Sequence, residues 1–114
     1  MKYMLLLFNE DVTGWTSDPQ ESLKPWRTFV EEAARRCTSV EGHALNDGTT
    51  AKVVSLRDGK TLTTDGPFVE TKEQLGGYYV VDCESIGVAL ELAALVPWAA
   101  TGHIEVRPVL PIGA

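Results

Sequence analysis

Two cysteines, Cys37 and Cys83, and two histidines, His43 and His103, are all this sequence has of either residue. No CxxC pair and no Cys/His spacing suited to zinc occurs, so no metal site is legible and no cofactor is implied. Cys37 continues an apolar helix face and Cys83 closes an apolar strand, so both read as reduced, buried small hydrophobes. Basic residues are scarce as well: 10 Lys and Arg stand against 16 Asp and Glu, for a net charge of -6. An acidic chain without a Lys/Arg stripe repels phosphate backbones, which excludes nucleic acid as a partner. Anionic membrane surfaces are disfavoured for the same reason. The apolar run at the start, Tyr3 to Phe8, is too short for a signal peptide or a membrane span and is followed at once by Asn9-Glu10-Asp11. A cytoplasmic location is expected. No GxGxxG or GxxxxGK phosphate loop is present, and no Ser/His/Asp or activated-Cys arrangement is legible.

What is present suits one domain over residues 1–114, with 44% hydrophobic and 23% charged residues. Residues 2–8 read as a strand that is apolar on both sides of its pleat. Residues 9–18 read as a loop in which Ser17 or Asp18 caps a short helix with Pro19 at its first position. Pro25 breaks or restarts that helix. From about Pro25 to Cys37, Trp26, Phe29, Val30, Ala33, Ala34 and Cys37 recur at helical spacing, with Glu31–Arg35 and Glu32–Arg36 four apart on the other face. Residues 38–48 read as loop. Strands 50–57 and 60–64 form a hairpin across Asp58-Gly59, a pair suited to the positive φ angles of a tight turn. Strand 77–83 follows, then a helix over 86–96 capped by Ser85 and ended by Pro97, a connector from Trp98 to Gly102, and a strand over 103–109.

The order β-α-(ββ)-β-α-β points to an α+β, ferredoxin-like sandwich: a mostly antiparallel sheet with two helices on one face and an extra hairpin. Strands 2–8 and 77–83 are apolar on both faces, so the face away from the helices needs a cover. A second copy of the chain supplies it, and a homodimer with sheets face to face is expected.

The candidate chemistry lies at the Asp65 turn, on the last strand and at several single residues. Asp65-Gly66-Pro67 is turn chemistry, in which Asp65 either caps its own turn or projects a carboxylate into a cleft. Glu70 and Lys72 follow on a charged stretch, with Glu70 closer to the turn and a candidate ligand-binding residue. On the last strand His103, Glu105 and Arg107 lie away from the helices. Glu105 and Arg107 either pair to hold the sheets in register or serve a ligand, Arg107 gripping a small anion and Glu105 orienting it. Tyr78 and Tyr79 point to opposite faces, so one of them reaches the cleft. His43, in a Gly-flanked segment, is either solvated or an acid/base group. Trp15 is a lid or simply packs.

The string Thr64-Asp65-Gly66-Pro67-Phe68-Val69-Glu70-Thr71-Lys72-Glu73-Gln74-Leu75-Gly76-Gly77-Tyr78 resembles the signature of the YCII-related proteins of the DGPF type. The opening Met1-Lys2-Tyr3-Met4-Leu5-Leu6, the stretch Arg57-Asp58-Gly59-Lys60-Thr61-Leu62 and the closing Ile104-Glu105-Val106-Arg107-Pro108 are similar to the family as well. The resemblance implies a ferredoxin-like fold of the dimeric α/β-barrel type, with a cleft on the sheet face inside the dimer. It also implies a link to extracytoplasmic-function sigma factors, beside which some members are found. In the wider group an enzymatic role is proposed for a His–Asp pair whose His lies on the first helix. Asp65 matches the aspartate, but the helix position holds Trp26, so the pair is incomplete and His43 is the substitute on offer.

Two functional readings follow. One is a dimer that binds a small ligand or a regulatory partner without catalysis, using Arg107, Glu105, Tyr78 and Glu70. The other is a cofactor-independent acid/base enzyme of the lyase, isomerase or dehalogenase kind, with Asp65 as base and His43 or Tyr78 as second proton carrier.

Overall fold

The structure, a computed structural model, describes residues 1–12, 19–69 and 71–112. In chain order its elements are β1 (Lys2–Asn9), α1 (Pro19–Leu23), α2 (Arg27–Arg36), β2 (Ser39–Ala44), β3 (Lys52–Arg57), β4 (Lys60–Asp65), β5 (Gln74–Asp82), α3 (Ile86–Ala94), α4 (Trp98–Thr101) and β6 (His103–Pro108). Four strands form one antiparallel sheet in the order β2-β5-β1-β6, and β3 and β4 form a separate two-stranded sheet. This is an α+β architecture compatible with a ferredoxin-like sandwich that carries an inserted hairpin.

The alternation of β1 decides how the layers stack. Tyr3, Leu5 and Leu7 are buried, while Met4, Leu6 and Phe8 remain partly exposed. Phe29 and Ala33 of α2 and Ala89, Leu92 and Ala93 of α3 close over the buried row, joined by Val81 of β5 and by Cys83 just past its end. Phe29, Leu5 and Leu92 are fully enclosed, each worth about 1.5–3 kcal/mol of transfer free energy. No disulfide joins the two cysteines: Cys83 is buried and Cys37 half-buried. Burial, with the Cys83 thiol beside it, pushes the Cys37 thiol above its ordinary value.

Local chemistry sets the element ends. Pro25 lies in a 3-10 turn over Lys24–Trp26, and α2 starts afresh at Arg27. Ser85 Oγ accepts from the Val88 N–H at 3.4 Å and starts α3. That helix stops at Ala94, earlier than residue 96, because Leu95 and Val96 donate three residues back, to Leu92 and Ala93, in the tighter 3-10 pattern. Asp58 and Gly59 take φ of 52° and 74°, as the hairpin turn requires. The caps expected at Ser17 or Asp18 lie outside the described residues.

Three expectations need correction. Residues 38–48 are not all loop, because Ser39–Ala44 pairs with β5 as an edge strand. It escapes pattern reading because one side faces solvent and the other carries Gly42, where a Cβ would stand 2.4 Å from the Tyr79 ring. The connector contains the short helix α4, Trp98–Thr101. On α2, Arg35 bonds Glu32 at 2.6 Å rather than Glu31, and Arg36 reaches Glu91 of α3 at 2.5 Å. The second link crosses helices and is invisible to spacing along one of them. Arg35 also holds the Glu32 carboxyl below the usual range.

Candidate ligand site on the uncovered sheet face

Direct cross-strand partners share a face of a sheet, so the pairing register assigns the face opposite the helices. One row across it reads His43, Tyr78, Leu6, Glu105; the next reads Glu41, Val80, Met4, Arg107. Phe8 and His103 begin a third row. Four residues singled out from sequence, His43, Tyr78, Glu105 and Arg107, are therefore brought onto one surface. Tyr79 serves the other side: its ring packs 4.7 Å from Phe29, and burial pushes its hydroxyl above the usual value.

The contacts on this face are modest. The His43 and Tyr78 rings are 5.7 Å apart. Arg107 Nε donates to Glu105 Oε2 at 2.7 Å, the pairing expected from their spacing along β6. The pair is largely exposed, so its own stabilisation is below about 1 kcal/mol. The apolar middle of the face, Met4, Leu6, Tyr78 and Val80, is partly exposed, and the helices pack on the opposite side.

The remaining candidates fall elsewhere. Asp65 ends β4 in the hairpin, its side chain 84% exposed and paired with Lys52 across the strands. Within one chain it meets neither His43 nor Arg107 in the paired sheet. Lys72 pairs with Glu10 at 3.3 Å. Glu70 and Trp15 lie outside the described residues. The Trp26 ring is buried, edge-on to Trp98 at 5.8 Å, and contributes packing where a histidine would contribute a proton carrier.

Sequence reading missed a groove at the Phe8 end of the face. It encloses about 590 Å³ between the sheet and the segments flanking the hairpin. Phe8, Leu45, Leu75, Pro67 and Val69 give it an apolar lining. Asn46, Thr50, Thr71 and Gln74 add neutral hydrogen-bonding groups and Asp47 a carboxylate, and no Lys or Arg lines it. Its walls come from four separate stretches, and the Gly66–Pro67 peptide that shapes one of them is cis; neither is legible along the chain. Among the described residues no cluster of three or more His, Cys, Asp or Glu is placed to hold a metal ion. No helix among them is long and apolar enough to cross a membrane.

The sequence profile of the YCII-related domain matches residues 1–113. An uncharacterised protein of Rhizobium meliloti (strain 1021) is 36% identical over 121 aligned residues, which span 96% of this chain and 92% of that protein.

Proposed function

This chain belongs to the YCII-related family, and on that footing we propose that it is a dimer that binds a small ligand or a regulatory partner on its uncovered sheet face. The observation that carries the reading is the run of partly exposed apolar residues, Met4, Leu6, Tyr78 and Val80, flanked by His43, Glu41, Glu105 and Arg107. An apolar sheet face in water is stabilised by a cover, and a second copy laid on it gives the dimeric α/β barrel. The cleft between the sheets then has an apolar floor and a polar margin, the ordinary make-up of a small-molecule site. In this reading residues 1–114 act as a single domain in the cytoplasm. Arg107 grips a small anion, Glu105 orients the guanidinium, and Tyr78 and His43 contact the ligand's body; Glu70 stays a ligand-binding candidate on its sequence position alone. A sigma factor is the regulatory partner that fits the family's reading.

The acid/base alternative draws on the adjacency of His43 and Tyr78, which puts two proton carriers on one surface. Asp65 enters that alternative through a second subunit that covers the hairpin, because a catalytic carboxylate needs the burial that a single chain does not give it.

The test pairs sedimentation with a thermal-shift screen of small carboxylic acids and phenols. The reading expects a dimer mass and a rise in melting temperature with at least one carboxylic acid, lost in Arg107→Ala. A monomer at micromolar concentration, or acid-induced shifts that survive Arg107→Ala, would contradict it.

A further inference from the structure

His103 is held in one orientation from two sides. Its Nδ1 lies 3.2 Å and 3.3 Å from the two carboxylate oxygens of Glu73. Its ring stacks on Phe8, centroids 4.7 Å apart and planes within 8°. The approach depends on Gly102: a Cβ there would stand 2.9 Å from Glu73 Oε1 and 2.0 Å from the Phe8 carbonyl oxygen, so only glycine lets the chain pass between them. A carboxylate only accepts, so Nδ1 is the donor to Glu73, and whenever the ring is neutral Nε2 is the acceptor. No hydrogen bond occupies Nε2 among the described residues. Phe8, the ring on which the imidazole rests, is also a wall of the 590 Å³ groove.

A base tied at one nitrogen by a carboxylate and open at the other, one stacked ring away from a largely apolar groove, is an arrangement that suits general-base chemistry. We propose that His103 is a proton acceptor positioned by Glu73, and that it serves a flat, neutral carbon acid bound in the Phe8 groove. The groove has no Lys or Arg to hold an anion, and Asp47 on its lining, which accepts from the Thr49 N–H at 2.9 Å, repels one, so an uncharged substrate suits it better than an anion. The proposal rests on the reading above that the uncovered sheet face takes small ligands, and extends that reading to the groove at its Phe8 end. It moves the proton carrier from Asp65 and His43 to a pair that sequence spacing, with its two members thirty positions apart, does not reveal.

The probe is 5-nitrobenzisoxazole, a planar uncharged carbon acid. His103 Nε2 takes the proton from carbon 3; the C–H electron pair becomes the third bond of a nitrile; the N–O bond breaks and leaves its pair on a phenolate oxygen that absorbs visible light. Water then removes the proton from the imidazolium. The full-length protein should speed this elimination over matched buffer, and His103→Gln should lose the acceleration by about 100-fold, the scale of one general base. Glu73→Gln should lower kcat about tenfold with KM unchanged, since the bound substrate is untouched and only the imidazole's orientation is lost. His103→Asn replaces the Gln variant should that one melt early. A wild-type rate no greater than that of the His103 variants overturns the proposal, as does a Glu73→Gln change confined to KM. Amide NMR shifts on adding the unreactive analogue 5-nitroindole separate the two readings. Binding at Leu45 and Leu75 without a His103-dependent rate overturns the proton-transfer role and leaves ligand binding intact. Neither binding nor rate overturns the role and removes the groove from the ligand-binding reading as well.

Discussion

Tyr78 and Tyr79 are neighbours in β5 and work on opposite sides of the sheet, Tyr79 against Phe29 at 4.7 Å under the helices and Tyr78 beside His43 at 5.7 Å on the uncovered face. One residue is structural and the next belongs to the candidate site, and the two can be probed separately.

Burial raises the Tyr79 hydroxyl above its ordinary value of 10.0. The folded chain then holds this proton more tightly than the unfolded chain does. The associated stability is complete below the unfolded value and is lost as pH climbs through the folded one. Tyr79→Phe removes that titration. Melting temperatures followed from about pH 9 to about pH 11 should fall less steeply in the variant than in the wild type; parallel curves would show that Tyr79 ionises without strain.

Leu5 and Leu6 make a second contrast, one fully buried and the other on the open face. Leu5→Ala should cost about 2–5 kcal/mol in denaturant unfolding through the cavity it leaves. Leu6→Asp should leave the chain folded and halve its sedimentation mass, from twice 12.4 kDa to 12.4 kDa. A wild-type mass already at the lower figure removes the dimer.

Gly42 sits where a Cβ would come within 2.4 Å of the Tyr79 ring and 2.7 Å of the Tyr78 carbonyl oxygen. Gly42→Ala should destabilise by about 1–3 kcal/mol, the scale of overpacking. The loss should shrink without vanishing in a Tyr79→Leu background, because the backbone contact persists. Equal losses in both backgrounds would separate Gly42 from the ring.

Asp65 pairs with Lys52 on the exposed hairpin, so Asp65→Asn should change unfolding free energy by less than about 1 kcal/mol. Under the ligand-binding reading it also leaves acid-induced thermal shifts as they were. Loss of those shifts at unchanged stability would return Asp65 to the site.

Much of this arrangement is written along the chain. Helical spacing marks α2, Asp58-Gly59 marks the hairpin turn, and the alternation of β6 places His103, Glu105 and Arg107 on one face. β2 stays hidden because an edge strand with one wet side has no need of apolar alternation, and Gly42 weakens its β signal further. The Phe8 groove and the Glu73–His103 pair stay hidden for another reason: each joins stretches that are distant in sequence, and nothing local in Thr71-Lys72-Glu73-Gln74 announces a histidine at the start of β6.

The strands on either side of the insertion, β2 and β5, are hydrogen-bonded to each other, while β3 and β4 pair only between themselves. The hairpin therefore leaves and re-enters the molecule at a seam that closes without it. A change in its length would leave the four main strands with the neighbours they have, at little cost to the folding of the main sheet.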